Sequence, residues 1–447
     1  MTQTFLSVVF FITISLTYSL GTNSFSSLTS NPFTSLKKYI IGNGKTLKVG
    51  IMSDSQLIEK VDSKNYNFTD NLIRAFQVLK SHKVDTIIFA GDIGENGTDF
   101  AHQLFRNIFD KTYEGERKPI LNIVMGNHDY WALPRNPSFL QKRFAEIIGE
   151  KPFSHKIING YHFINWGSEN GSYDKCNSNQ HFFELQIQNA IKDDPTKPVF
   201  VTTHLPPSGT VYGSDDWGNN QMTFLEKYPQ VVTISGHSHY ALTDERSIWQ
   251  GKYTAINTQS VSYTELEEGK ENGSIPTDEF GSRAPSIKNN MGLIMSLTED
   301  KVEIQRISFS KNEFYKEPWI IDLPIDVNTF RYNTEKRKAL SVSPQFIGKN
   351  DIRIIQKIIH GQKINQIFFQ QAIHDDLVHS YRIIFNNGKH ITELLYFSDF
   401  YLMGEDRGQY IILKLPLTLS GKYDVAIYAI ESFGKESEPI IGEVEIF

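Results

Sequence analysis

Five short groups of metal-ligating residues follow one another along the chain. They are Asp54-Ser55-Gln56, Gly91-Asp92, Gly126-Asn127-His128-Asp129, His204 and Gly236-His237-Ser238-His239. The carboxylate of Asp92 can bridge two cations through its two oxygens. Asn127 and Gln56 offer amide oxygens, Asp54 a second carboxylate, and His204, His237 and His239 imidazoles. Such a mixed N/O set suits Mn, Fe or Zn. The absence of Cys ligands excludes a structural zinc knot. Two ions held side by side are a device for attacking phosphorus esters. Any one group alone is ordinary, because a lone Gly-Asp is usually a turn and a lone His-x-His two surface histidines. Five in order make a constellation.

Short apolar runs precede the groups and read as buried strands, among them 47–52, 86–90 and 231–234. Ligands at strand ends meet at one edge of a sheet, where open α/β proteins build their sites. Between the strands, apolar residues recur at helical spacing over 71–80, 99–109, 139–148 and 183–191. This alternation predicts a layered α/β domain.

Taken together, the groups resemble the calcineurin-like metallophosphoesterase pattern D-x-H, G-D-x-x-(D/E)-x-G, G-N-H-(D/E), H and G-H-x-H. The second is met by Gly91-Asp92-Ile93-Gly94-Glu95-Asn96-Gly97. The resemblance implies a four-layer α/β/β/α sandwich. It implies that Asp54, Gln56, Asp92 and His239 hold one divalent ion, and Asp92, Asn127, His204 and His237 the other. His128 would serve as catalytic proton donor to the leaving oxygen, with Glu95 as the acid paired with it. The chain departs from the pattern at Gln56, where most members have His. The same replacement occurs in a subset resembling manganese-dependent ADP-ribose/CDP-alcohol diphosphatases, and a harder oxygen ligand favours Mn over Zn or Fe. Glu95 stands where purple acid phosphatases have Tyr, which argues against their charge-transfer iron site. Asn96 and Tyr130 stand where protein serine/threonine phosphatases have Arg. A phosphodiester, a nucleotide-type pyrophosphate or a small phosphomonoester remains as substrate, attacked by a hydroxide held between the ions. Tyr130, Trp131 and the Asp215-Asp216-Trp217 insertion offer aromatics that either stack a nucleobase or shield the site and pack loops.

The remaining sequence sets the frame. With 447 residues, two or three domains are expected. Residues 46–326 are assigned to the phosphoesterase-like domain. Residues 324–342 read as a polar junction. From 340 to 447 alternating strands separated by turns predict an all-β sandwich, whose last hairpin resembles a fibronectin type III module. Residues 1–21 carry a sixteen-residue apolar stretch, Phe5 to Leu20, with the length of a signal-peptide core, and 22–45 read as a flexible lead-in. The sequons at Asn67, Asn96, Asn170 and Asn272 fit an exported glycoprotein, with Asn96 expected to be unmodified beside the metal site. Cys176 is the only cysteine, so no intrachain disulfide forms.

These features predict a secreted or endolysosomal enzyme with no stable membrane span once the signal is cleaved. An uncleaved signal anchor facing out of the cytosol is the alternative. A net charge of −6 argues against a long nucleic-acid partner. The rival from another class is a metal-binding protein weakened by Gln56, acting as a glycan- or protein-binding module through its sandwich.

Overall fold

The computed structural model describes residues 36–42, 46–59, 68–167, 179–278, 281–348 and 351–447. The apolar stretch 5–20, Cys176, and the sequons at Asn67 and Asn170 lie outside them.

The described residues form two compact units that do not follow chain order. The first comprises residues up to Ser238, Ile248–Ser262 and Met291–Arg331; the second comprises His239–Ser247, Tyr263–Asn290 and Tyr332–Phe447.

The first unit holds two sheets. One has six strands in the order Glu313–Asp322, Lys301–Ser308, Met291–Leu297, Leu47–Met52, Thr86–Phe89 and Ile120–Ile123. The last three run parallel. The other has seven, in the order Leu36–Tyr39, Phe153–Ile158, Tyr161–Trp166, Val199–Thr202, Val231–Ser235, Thr254–Asn257 and Ile248–Gln250. Four of these, from Tyr161–Trp166 through Thr254–Asn257, are mutually parallel. Their β-branched and aromatic residues are buried along the whole strand, as expected where a sheet is covered on both faces.

Helices α1 (Thr69–Ser81), α2 (Asp99–Thr112) and α3 (Pro137–Ile148) pack on the six-stranded sheet through Leu72, Phe76, Phe105, Phe109 and Phe144. Helix α2 is capped by Thr98, whose side chain accepts from the Ala101 N–H. Helix α3 starts with Pro at its first turn and ends on a left-handed Gly149. Helix α4 (Gln180–Asp193) covers the seven-stranded sheet through Phe183 and Ile187. The domain is thus an α/β/β/α sandwich.

In the second unit, two antiparallel sheets share one core. The three-stranded sheet runs Arg353–Ile359, Gln362–Gln370, Tyr410–Lys414; the four-stranded one runs Ile391–Phe397, Val378–Asn386, Gly421–Glu431, Ile440–Ile446. Tyr381, Ile383, Phe385, Ile427 and Phe369 fill the space between them. The junction also carries a short helix, Thr334–Leu340, capped by Asn333.

The sandwich anchors the segments that cluster with it. Arg337 Nη1 donates to the Glu245 carbonyl at 2.6 Å, and the Asn272 carboxamide exchanges two hydrogen bonds with the Phe397 backbone at 2.9 and 3.1 Å. Asp244, wholly buried, is clamped by Arg246 at 2.7 Å. Burial opposes its ionisation, yet the guanidinium holds it below the usual carboxylate range.

Candidate metal centre

The site forms where parallel strands end. Beyond Met52 and Phe89 the pairing continues as a loop ladder: the Asp54 N–H donates to the Gly91 carbonyl at 2.9 Å and the Gln56 N–H to the Asp92 carbonyl at 3.3 Å. This brings Asp54 and Gln56 beside Asp92. From the other sheet, the Gly236 N–H donates to the His204 carbonyl at 2.9 Å, joining the loops of His204 and His237.

These junctions are strained in a consistent way. Asp54, Gln56, Asp92, His237 and His239 all have positive φ, between 43° and 70°. Non-glycine residues rarely occupy that region, and such outliers cluster at functional sites. The glycines of the motifs serve the ligands directly. A Cβ on Gly126 would fall on Asp92 Oδ1, and one on Gly236 would fall on Asp54 Oδ2.

Four potential ligand atoms converge at the centre. His204 Nδ1 donates to the Ala90 carbonyl at 2.7 Å, which leaves Nε2 as a lone pair. That lone pair lies 3.0 Å from Asn127 Oδ1, 3.2 Å from Asp92 Oδ2 and 3.2 Å from His237 Nδ1. Asp92, His204 and His237 have ligand atoms within 4.8 Å of one another. Such a cluster is satisfied either by a proton on one of the two imidazoles or by a metal ion held among the ligand atoms. The proton would be tightly held: burial opposes it, but Asp92 and Asp54 push the His204 imidazole up to about 9.

Gln56 gives an independent sign. Its Nε2 donates to Asp92 Oδ2 at 3.5 Å, while its buried Oε1 has no hydrogen-bond partner among the described residues. A buried carbonyl oxygen left unpaired is costly unless a cation takes it. Asp54 is buried with Ser53 Oγ donating to its Oδ2 and the His237 N–H at 3.1 Å from the same oxygen. The residues present therefore fit divalent metal ions. His239 falls in the second unit, where its Nδ1 lies 3.0 Å from the Tyr263 carbonyl.

His128 sits beside this centre. Its N–H donates to Asp92 Oδ1 at 2.9 Å, and its Nδ1 donates to the Glu95 backbone carbonyl at 2.7 Å. Nε2 then faces inward, 3.9 Å from Asp92 Oδ2. The Glu95 carboxylate stands 3.9 Å from Nδ1, a longer contact than its carbonyl makes. Trp131 lies against the imidazole with centroids 3.7 Å apart and ring planes tilted by 33°. Asn96, next to Glu95, is exposed, whereas Tyr130 is buried and accepts from Gln141 at 3.0 Å.

Asp129 escapes a reading based on ligands, although it stands in the quoted motif. It is fully buried and accepts the N–H groups of Asp92 and Gly126 at 3.0 Å each, with Ile93 and Gly94 at 3.4 Å. His102 of α2 pairs with it at 3.1 Å. Burial opposes its charge, but His102 and the N–H groups hold its pKa low. Asp129 thus ties the loop of Asp92 to the loop of Asn127. The signal available in the sequence was an acid directly following His128.

The segment carrying these geometries, residues 47–241, matches the calcineurin-like phosphoesterase family. Those residues are a calcineurin-like phosphoesterase domain. The match supports a metal-dependent hydrolase of phosphoric esters. The phosphoesterase fold is also similar to a dimetal phosphatase from Danio rerio (15% identity, 62% of this chain and 99% of that chain, TM-score 0.41). It is similar to a purple acid phosphatase from yellow lupin, Lupinus luteus (13% identity, 64% and 56%, TM-score 0.44). A third similar structure is the Plasmodium inner membrane complex anchor GAP50 (16% identity, 63% and 90%, TM-score 0.42). No curated protein sequence matches the chain.

Proposed function

We propose that the protein is a secreted or endolysosomal dimetal phosphoesterase. Its substrate is a phosphodiester, a nucleotide-type pyrophosphate or a small phosphomonoester. The observation that carries this reading is the convergence of Asp92 Oδ2, Asn127 Oδ1, His204 Nε2 and His237 Nδ1 beside an inward-facing His128 Nε2.

Asp92, Asn127, His204 and His237 are taken as the ligands of one ion. Asp54, Gln56 and Asp92, with His239 by its place in the last motif, are taken as those of the other. Manganese is the favoured metal, because amide and carboxylate oxygens dominate the second set. Divalent ions there would neutralise phosphoryl oxygens and acidify water. The chain's own groups do the rest. Asp92 orients His128 through the backbone N–H. The Glu95 carbonyl holds the Nδ1 proton, so Nε2 alone can exchange a proton in the site. His128 then delivers that proton to the leaving oxygen.

Export is supported by the Phe5–Leu20 stretch and by the sequons. No helix among the described residues is long and apolar enough to cross a membrane. Residues 340–447 are taken as fibronectin type III-like, a reading that their three- and four-stranded antiparallel sheets around one core support.

The test is hydrolysis of bis-p-nitrophenyl phosphate and p-nitrophenyl phosphate in a Mn, Zn, Fe and Mg series, with metal content measured on the same sample. Turnover with two bound ions is expected. At most one ion and no turnover of either ester would favour the binding-module alternative.

A further inference from the structure

Two tryptophans that the phosphoester chemistry does not use touch its histidines. Trp131 lies tilted against His128 with centroids 3.7 Å apart, and Trp217 meets His237 edge to face, with centroids 5.6 Å apart and planes at 86°. Both remain exposed, at 43% and 40%. Partly exposed indole rings beside a phosphoester centre offer flat faces on which a nucleobase can stack.

The loop that presents Trp217 is built rather than slack. It leaves the strand Val199–Thr202 just after His204 and closes on itself through the Ser208 N–H to the Asn219 carbonyl at 3.3 Å and the Asn219 N–H to the Pro206 carbonyl at 2.8 Å. Inside it, the Thr210 N–H donates to Ser214 Oγ at 2.8 Å, and the Trp217 N–H to the Gly213 carbonyl at 3.0 Å. Gly213 adopts positive φ to start this single helical turn, Ser214–Trp217. Asp215 and Asp216 lie on the same turn and are exposed.

We infer that Trp217, with Asp215 and Asp216, forms a nucleoside subsite beside the phosphate position. The base stacks on the indole, and the carboxylates accept hydrogen bonds from the ribose hydroxyls. Acidic side chains are poor neighbours for a phosphate but good acceptors for a diol, as in dinucleotide sites. Trp131, whose ring is engaged with His128, steadies that imidazole instead. The inference rests on the proposed phosphoesterase reading and narrows its substrate to a nucleoside phosphoester or diphosphate.

The test compares two non-cleavable ligands on the full-length, Mn-loaded protein: the 5′-phosphonate isosteres of AMP and of ribose 5-phosphate. Calorimetric affinities give a ratio that reports the base alone. Stacking predicts that the adenosine compound binds about 5- to 150-fold tighter. Trp217→Ala should bring the ratio to about one, Trp217→Phe should retain part of it, and Trp131→Ala should leave the ratio in place. Melting temperature and metal content identify any variant that fails to fold. A wild-type ratio near one overturns the subsite, as does a ratio that survives in Trp217→Ala or collapses only in Trp131→Ala. If neither ligand binds while bis-p-nitrophenyl phosphate still turns over, the subsite alone falls. If turnover is absent too, the reading beneath it falls with it.

Discussion

His128 Nδ1 donates to the backbone carbonyl of Glu95 at 2.7 Å, while the Glu95 carboxylate stands 3.9 Å from the same nitrogen. The tautomer of the proposed proton donor is therefore set mainly by the chain's path, not by the acid. Glu95→Gln should lower kcat less than about fivefold, an effect within the range of a partly solvated charge contact. His128→Ala should lower it about 10²- to 10⁴-fold. Steady-state rates on one diester distinguish the two, and equal losses would return the orienting role to the carboxylate.

Gln56 Oε1 is a buried oxygen with no hydrogen-bond partner among the described residues, and it lies beside Asp92. Gln56→Ala should reduce metal content below two per chain and weaken metal affinity by at least about tenfold, the scale seen even for outer groups around metals. Gln56→His should shift the activating metal from Mn toward Zn. Metal analysis after dialysis, with a metal titration of activity, checks both. Full metal content in Gln56→Ala would remove Gln56 from the ligand set.

Asp129 is a buried acid with four backbone N–H partners and one histidine. Asp129→Ala leaves those donors and His102 without their acceptor. Losing one member of a buried, charge-assisted network costs about 3–5 kcal/mol. Urea denaturation should show a lower midpoint with a similar slope. A change under about 1 kcal/mol would mean that water replaces the carboxylate.

His155 supplies a pH dependence away from the metal centre. Burial pushes its imidazole down to about 4; His162 adds to this, and Gln186 and Asp193 oppose it. His155 Nε2 lies 2.8 Å from His162 Nδ1, and burial lowers the His162 pKa as well. Below about pH 6.5 the unfolded chain binds protons that the folded His155 refuses. Stability is then full above about pH 6.5 and falls as the pH drops toward about 4, by an amount on the order of 2–3 kcal/mol. Denaturation midpoints at pH 7.5 and 5 should differ more for wild type than for His155→Gln, and equal differences would contradict the assignment.

Much of the fold was legible as local pattern. Short apolar runs mark the strands Leu47–Met52, Thr86–Phe89 and Val231–Ser235, and the 3.6-residue period marks α1 through α4. The helix Thr334–Leu340 and the segment 263–278 were not legible. Their order comes from isolated polar contacts, such as Asn272 with the Phe397 backbone, which leave no periodicity to read.

The same division runs through the site. Sequence alone determined which side chains can ligate a metal, because residue type and position after an apolar strand are local properties. It also determined the glycines that let Asp54 and Asp92 approach. Only the tertiary structure decided which of these atoms face one another. The Ala90 carbonyl selects the lone pair of His204, the Glu95 carbonyl rather than its carboxylate holds His128, and Asp129 gathers the N–H groups of two loops. The physical reason is that every residue carries the same backbone groups. Which carbonyl or N–H points into a site depends on strand register and loop closure across the whole domain, and no single residue encodes that.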